Sequence, residues 1–215
     1  MLRELQALLG GIYDLPLPLD VADFLLTDRS LLPPGLHTQT ADEQVVVIEQ
    51  ADAAAIGVYL DAEVLARLQA ANPLQALHAG NLADYWTVLE GVSHFLYLAW
   101  HGGHDRGVSL LELELQAEID KYVSSVWLLR AQDPARFPAE VHRLLFGRAR
   151  VDRGLAAGRW ELYREANRQA ARFCQRLAHA LHPARCASAR QVLAELRRFY
   201  RYSRDAKLTH IARCA

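Results

Sequence analysis

The sequence of 215 residues has few cysteines, the residues whose disulfide bonds stabilise small secreted proteins. It contains three cysteines, Cys174, Cys186 and Cys214. An odd number without a C-x-x-C pair argues against a disulfide framework and favours a reducing compartment. The chain does not open with a basic segment followed by an apolar run, so we expect no signal peptide. These absences predict a soluble protein of the cytoplasm.

Long hydrophobic runs are also missing. The most apolar stretch, residues 82–100, is interrupted by Asp84, Glu90 and His94. Three such residues within about 20 positions oppose a membrane span. We therefore expect no segment that is embedded in a membrane.

The sequence contains none of the short motifs that identify common enzyme classes. It has no glycine-rich phosphate loop of the G-x-G-x-x-G or G-x-x-x-x-G-K-[ST] type. An H-E-x-x-H zinc motif and a G-x-S-x-G nucleophile elbow are also absent. Nothing in the sequence therefore indicates a nucleotide-binding loop, a zinc protease helix or a serine nucleophile.

Lysine is scarce, and the charges are unevenly distributed. Lys121 and Lys207 are the only lysines. Residues 1–125 hold 18 acidic and 5 basic side chains, whereas residues 126–215 hold 7 acidic and 19 basic ones. We expect the two halves to pack together and neutralise each other, with an acidic or basic partner surface as the alternative.

The pattern of apolar residues predicts a mainly α protein. Residues 44–50 and 54–60 are β-branched runs that predict a hairpin over residues 44–60. This hairpin belongs to a small N-terminal α+β cap, residues 1–80. In residues 81–215 the apolar positions recur at helical spacing, which predicts a helical bundle. Cap and bundle are expected to form one compact domain.

Two neighbouring predicted helices each carry a polar stripe through apolar sequence. The Glu90 stripe has the spacing i, i+4, i+7, i+11 and consists of Glu90, His94, Tyr97 and His101. The Glu114 stripe repeats this spacing with Glu114, Glu118, Lys121 and Ser125. The short turn of residues 102–108 predicts an antiparallel pair with facing stripes. Since the first helix is apolar nearly all round, its stripe must meet other polar groups, a metal ion or a water-filled cleft.

A buried cluster of Glu90, His94, Glu114, Glu118 and Lys121 has two interpretations. The one we favour is a structural network in which Lys121 neutralises a carboxylate. The alternative is an enzyme in which the three glutamates and the histidine bind a divalent metal or act as catalytic acid and base groups. In that enzyme Lys121 or an arginine orients an anionic substrate. Bundle proteins hold metals with Glu and His side chains from neighbouring helices, although Glu-x-x-x-His is a motif of low specificity.

A second face of the helix that carries the Glu114 stripe competes with this assignment. Glu112, Gln116 and Asp120 lie together on the side opposite the Glu114 stripe. We expect one of the two faces to be solvated surface. The denser apolar flank beside Glu114 favours the Glu114 stripe as the buried face.

Two smaller features have a structural interpretation that we favour over a functional one. His101 and His104 flank a glycine pair, where an interaction with the helix end is favoured over metal binding. Asn167 lies in the apolar seam of a long predicted helix beside Tyr163. It is expected to fix the register of that helix, with a contribution to the polar cluster as the alternative.

The C-terminal half carries a basic patch that is interleaved with aromatic residues. Its arginines are Arg197, Arg198, Arg201 and Arg204. Such a patch is typical of a surface that binds anions, a protein partner or nucleic acid.

The sequence as a whole favours a protein-interaction or adaptor module that binds a protein partner or a second copy of the chain. A metal-dependent enzyme of hydrolase type, using the Glu/His cluster, is the alternative. Nucleic-acid binding through the C-terminal arginines is less favoured. A divalent metal is the only cofactor that the residues indicate.

Overall fold

The computed structural model describes residues 1–34, 36, 41–50, 53–135, 138–147, 157–181 and 188–213. This part of the chain contains eight α-helices and a three-stranded sheet near the N-terminus. The predicted fold, mainly α with a small N-terminal α+β part, is confirmed. Cys186 and Cys214 lie outside the described residues.

The helices and strands are numbered in chain order. The helices are α1 (Leu2–Tyr13), α2 (Ala62–Ala70), α3 (Leu82–Gly102), α4 (Leu110–Gln132), α5 (Glu140–Phe146), α6 (Ala157–Leu181), α7 (Ala189–Tyr200) and α8 (Arg204–Arg213). The strands are β1 (Leu25–Leu26), β2 (Glu43–Gln50) and β3 (Ala53–Leu60). Among the described helices, none combines the length and the apolar character that a membrane span requires.

The predicted hairpin is formed by β2 and β3. The two strands are antiparallel, with Val46 opposite Gly57. β1 lies on the other side of β3 and runs parallel to it. The strand order β1-β3-β2 therefore leaves β2 at an edge of the sheet as far as the described residues extend.

One short segment differs from its prediction. The sequence predicts a helix that is capped by Asp20 and continues through Leu26. In the structure Asp20 accepts a hydrogen bond from the backbone of Ala22, but the helical segment is a single 3₁₀ turn, Val21–Phe24. The chain then becomes extended because β1 pairs with β3, and this tertiary pairing outweighs the local helical pattern.

The sheet packs closely against α3 at Gly91. A Cβ atom at this position would lie 3.0 Å from a methyl group of Val58 and 3.2 Å from the Cγ of Glu43. Real Cβ contacts are rarely as short, so the glycine is needed for this approach. The close packing brings Glu43 of β2 to the polar face of α3.

The helices α3 and α4 pack antiparallel, as the short connection predicts. Trp86 Nε1 donates a hydrogen bond to Ser125 Oγ at 2.9 Å. Further along α3, Ser93 Oγ donates to Asp120 Oδ2 at 2.6 Å. The residue number rises on one helix as it falls on the other, which confirms the pairing.

One hydrophobic core connects the N-terminal elements with the bundle. Its buried side chains extend from Leu5 of α1 to Ile211 of α8. Val58 of β3 and Phe95 of α3 belong to the same cluster. A domain boundary at residue 80 stays a prediction.

The acidic and basic halves of the chain pack together without direct ion pairs between their described residues. α4 contacts α6, and α1 contacts α7. Each salt bridge in the described segments joins two groups of the same half, as for Lys121 with Glu90 and for Arg176 with Glu195. The described salt bridges therefore do not test the expected mutual neutralisation of the two halves, which stays a prediction.

Candidate metal site

Lys121 of α4 lies between carboxylates of both striped helices. Its Nζ is 2.6 Å from Glu90 Oε2 and 2.8 Å from Glu118 Oε1. Burial acts to lower the pKa of Lys121, but the carboxylates of Glu118 and Glu90 raise it well above its ordinary value. Burial likewise acts to raise the pKa of Glu90, and Lys121 and His94 outweigh it and lower that pKa. The two stripes therefore face each other around a charged lysine.

His94 of α3 presents its two ring nitrogens to different carboxylates. Nδ1 donates to Glu43 Oε1 of β2 at 3.3 Å, and Nε2 is 3.9 Å from Glu114 Oε2. This buried Nε2 has no hydrogen-bond partner among the described residues. Burial acts to lower the pKa of His94, but Glu114 and Glu43 raise it to about 9.

Glu114 is buried on α4 without the close pairing that Lys121 gives to Glu90. Burial raises the pKa of Glu114 to about 7, His94 opposes this rise, and Glu90 and Glu43 add to it. Burial also raises the pKa of Glu43, again against the effect of His94. The carboxylates around His94 thus destabilise one another's charged forms.

Three of these side chains lie close enough together that they could hold one metal ion. Glu90, His94 and Glu114 each offer one ligand atom, and these three atoms lie within 4.8 Å of one another. Metal–ligand bonds of about 2.1 Å place neighbouring ligand atoms roughly 3 to 4 Å apart. Metal binding would therefore require the three ligand atoms to move closer together than the 4.8 Å limit within which they lie.

The side chains of α6 cover the other end of the cluster. Asn167 Nδ2 donates to Glu118 Oε2 at 3.3 Å. Burial raises the pKa of Tyr163, and the nearby charges of Glu114 and Glu90 contribute to this rise. Asn167 therefore supplies the third helix's contribution to the cluster. Glu118, a predicted metal ligand, is bonded to Lys121 and Asn167 and lies outside the triad.

Sequence reasoning missed Glu43. It lies 51 residues before His94 in the chain and reaches it only because the hairpin packs at Gly91. The one available signal was its position directly before the predicted strand of residues 44–50, which the structure extends to include Glu43. Helical periodicity gives no information about a partner on a separate strand.

The second polar face of α4 is also buried, so the expectation that one face is solvated surface is wrong. Glu112, Gln116 and Asp120 are 4%, 0% and 1% exposed. Asp120 accepts hydrogen bonds from Ser93 Oγ at 2.6 Å, from Gln116 Nε2 at 2.8 Å and from the Tyr13 hydroxyl. We call Tyr13, Ser93, Gln116, Asp120 and Lys207 the Asp120 cluster.

Lys207 of α8 is a further residue that the sequence did not indicate. It is fully buried, and its Nζ donates to Gln116 Oε1 at 2.6 Å. The ammonium group also lies 4.7 Å from the ring centre of Tyr97 and 4.8 Å from that of Phe199. Burial lowers the pKa of Lys207 to about 7, and Asp120 opposes this shift. Burial raises the pKa of Asp120 to about 6, so the two groups titrate close together.

The histidines of the glycine turn do not lie in a common metal site. Both ring nitrogens of His101 lie within 3.0 Å of Arg106 Nη1, and burial together with Arg106 lowers the pKa of His101 to about 4. His104 contacts the carbonyl oxygen of Trp100 at 2.7 Å. These contacts favour the structural interpretation of both residues.

The arginines of the C-terminal patch are used for contacts within the chain. Arg197 donates to the carbonyl oxygens of Ile12 and Gly11, and Arg201 donates to those of Tyr13 and Asp14. These oxygens end α1, where carbonyl groups lack helical partners. The remaining two arginines pair with carboxylates on their own helices: Arg198 with Glu195 and Arg204 with Asp205.

Comparison with known proteins gives no relative for this chain. No family model, no curated protein and no solved structure matches it. Its function is therefore inferred from the geometry of its own residues.

Proposed function

We propose that this protein binds a divalent transition metal through Glu90, His94 and Glu114 and uses the ion in a hydrolytic reaction. The observation that carries this proposal is the buried Nε2 of His94, which has no hydrogen-bond partner within the described segments and points toward Glu114. Buried polar atoms without a partner are rare in proteins and call for a specific explanation. A metal ion would supply the missing partner.

The contact between His94 and Glu43 supports this assignment. When Nδ1 donates to a carboxylate, the neutral ring carries its lone pair on Nε2. Histidine ligands of metal sites usually make such a hydrogen bond with the other ring nitrogen, which fixes the tautomer and the ring orientation. Glu43 therefore acts as the positioning residue for His94.

The charge of the cluster also supports a bound cation. Four carboxylates, those of Glu43, Glu90, Glu114 and Glu118, lie close to one lysine and one histidine. Even with His94 protonated, negative charge is in excess in a largely buried space, which is unfavourable. A divalent cation in place of the His94 proton reduces this excess.

The ligand types indicate which metals fit. One imidazole nitrogen and two carboxylate oxygens suit Zn²⁺, Mn²⁺ or Fe²⁺ better than Ca²⁺ or Cu⁺. Three protein ligands leave a coordination position open, as in catalytic rather than structural zinc sites. Such a metal acts as a Lewis acid and activates water. The Glu90 side chain is 24% exposed, so solvent reaches the edge of the site.

Metal titration of the purified, chelator-treated chain tests this proposal. We expect one Zn²⁺ or Mn²⁺ per chain by calorimetry, and a loss of binding of at least tenfold in His94→Ala and Glu114→Gln. Glu118→Gln is the matched control, since Glu118 lies in the same polar network but outside the triad. Equal losses in all three variants, or no binding by the wild type, would contradict the assignment.

Hydrolysis is tested separately with a panel of chromogenic phosphate and carboxylate esters. Activity should require the added metal and should disappear in Glu114→Gln while Glu118→Gln retains most of it. Metal binding without any hydrolysis would leave a metal-binding protein and refute the enzymatic part of the proposal.

An interaction module remains the second candidate, because β2 is an edge strand with exposed apolar side chains. Val47 and Ile48 are 44% and 48% exposed. A strand edge of this kind favours pairing with a second strand. A second copy of the chain is the partner we propose, and Val47→Lys should abolish any dimer seen by sedimentation. A monomeric wild type would refute this candidate.

Two further proposals concern the location of the protein and the binding of nucleic acid. A cytoplasmic location is supported by Cys174, a buried free thiol.

Nucleic-acid binding is less supported, because Arg197 and Arg201 donate to backbone carbonyls of α1. Binding that is insensitive to salt, or absent, would remove the nucleic-acid proposal.

A further inference from the structure

A cleft separate from the metal triad opens between α4, α6 and α7. It has a volume of about 350 Å³, which lies within the range of small-molecule sites, roughly 300 to 1,000 Å³. Its walls include Val126 of α4, Leu177 of α6, and Val192 and Leu196 of α7. None of the three metal-ligand residues lines it.

The lining of the cleft is apolar except at one end. Arg130 is the only charged side chain among the described residues that line it. This arginine is exposed, and it forms no salt bridge or side-chain hydrogen bond with the rest of the described chain. Trp127, one turn earlier on α4, is 44% exposed at the same opening.

The helices give the cleft a length and a direction. Along α4 it extends from Tyr122 to Ala131, which corresponds to about 13 Å at 1.5 Å per helical residue. The C-terminal residue of α7, Tyr200, stacks on Tyr13, which is bonded to Asp120. The N-terminus of α7 therefore lies toward the Arg130 end, and the described residues that line the opposite end, such as Tyr122 and Leu196, carry no charge.

We propose that this cleft binds a free medium-chain fatty acid. The alkyl chain lies along Val126, Leu177 and Val192, and the carboxylate pairs with the guanidinium of Arg130. A single-chain amphiphile matches the shape because the cleft is long and its described lining is apolar along the walls and charged only at the Arg130 end. An arginine binds a carboxylate through two parallel hydrogen bonds, which fixes the orientation of the ligand. This inference is independent of the metal site.

Displacement of a fluorescent fatty acid tests the inference on the full chain. The probe is 11-(dansylamino)undecanoic acid, used below its micellar concentration. We expect one probe per chain and competition by dodecanoate. Octanoate should compete at least tenfold more weakly, since each buried methylene changes affinity roughly fourfold. Dodecanol should also compete about tenfold more weakly, because it lacks the charge that Arg130 pairs with.

Two variants assign the binding to this cleft. Arg130→Gln should weaken dodecanoate about tenfold and leave dodecanol unchanged. Arg143→Gln is the matched control, because Arg143 is an exposed arginine of α5 outside the cleft. Ala189→Trp places a large side chain at an exposed position of the lining and should abolish binding of both compounds. Circular dichroism should show that all three variants remain helical.

Four results would overturn the inference. They are an absence of displacement below the micellar concentration, equal weakening by Arg130→Gln and Arg143→Gln, dodecanol binding as tightly as dodecanoate, and a dimer whose interface occupies the cleft. The metal titration is unaffected by any of these results, so failure of this inference and failure of the metal site are distinguishable.

Discussion

The two polar faces of α4 are both buried, yet their chemistry differs. On the face of the Asp120 cluster, one carboxylate is satisfied by three donors and lies near one lysine. On the face that carries Glu114, carboxylates are in excess around His94, and the Nε2 of His94 has no partner among the described residues. Burial of polar groups is therefore not by itself a sign of function. An unmatched buried nitrogen beside excess charge of one sign is the informative feature.

The first prediction compares the stability that each face of α4 contributes, and the larger effect is expected for the face that carries the Asp120 cluster. Asp120→Ala removes the acceptor of three hydrogen bonds and leaves Lys207 without its nearby carboxylate. We expect a loss of about 3 to 5 kcal/mol in the free energy of unfolding, measured by urea denaturation. Glu114→Gln, on the other face, should change the unfolding free energy of the metal-free protein by less than about 1 kcal/mol, because the substitution removes a charge whose burial is unfavourable. Similar losses in both variants would show that the faces do not differ.

The second prediction concerns stabilisation by metal. A metal that binds only the folded state raises the free energy of unfolding by about 2.7 kcal/mol when its free concentration is 100 times Kd. Zn²⁺ or Mn²⁺ should therefore raise the thermal midpoint of the wild type and of Gln116→Ala, which alters only the Asp120 cluster. In His94→Ala the midpoint should not move. A shift that is retained in His94→Ala would place the metal elsewhere.

The third prediction tests the role of Glu43. Glu43→Gln weakens the hydrogen bond that orients His94 and should lower metal affinity about 10- to 100-fold, measured by calorimetry. Glu49→Gln, on the same strand, is the control and should leave affinity unchanged. An unchanged affinity in Glu43→Gln would show that His94 is oriented by other contacts.

The fourth prediction is a pH dependence of metal affinity. A metal displaces the proton from His94, whose pKa is raised to about 9, and below pH 7 also the proton from Glu114, whose pKa is raised to about 7. Since protons compete with the metal, affinity should rise with pH, about tenfold per unit between pH 7 and 9 and more steeply below pH 7. Titrations in a series of non-chelating buffers measure this slope. A flat profile would show that neither group is a ligand.

Periodicity in the sequence was sufficient to predict several elements of the fold and part of the site. The hairpin, the antiparallel helices α3 and α4, and the pairing of Lys121 with a carboxylate of the cluster all follow from local patterns and one short connection. These features depend on residues that are close in sequence or on adjacent helices. The same reasoning works because side-chain direction repeats regularly along a helix or strand.

The rest of the site depends on contacts that no local pattern contains. Glu43 and Lys207 reach their partners across 51 and 91 residues. The helix α8 that carries Lys207 is polar in composition, so its buried lysine has the sequence appearance of a solvated one. The sequence pattern also could not show that both polar faces of α4 are buried, because this depends on the neighbours that pack around nearly the whole circumference of the helix.

The sequence by itself determined which side chains share a face of each helix, and hence that Glu90, His94 and Glu114 belong to polar stripes within apolar helices. Only the tertiary structure decided which carboxylates surround His94, that its Nε2 finds no hydrogen-bond partner in the described part of the chain, and that Asp120 instead accepts three hydrogen bonds. The physical reason is that periodicity fixes direction along one element, whereas hydrogen bonding, burial and charge balance depend on the elements packed around it.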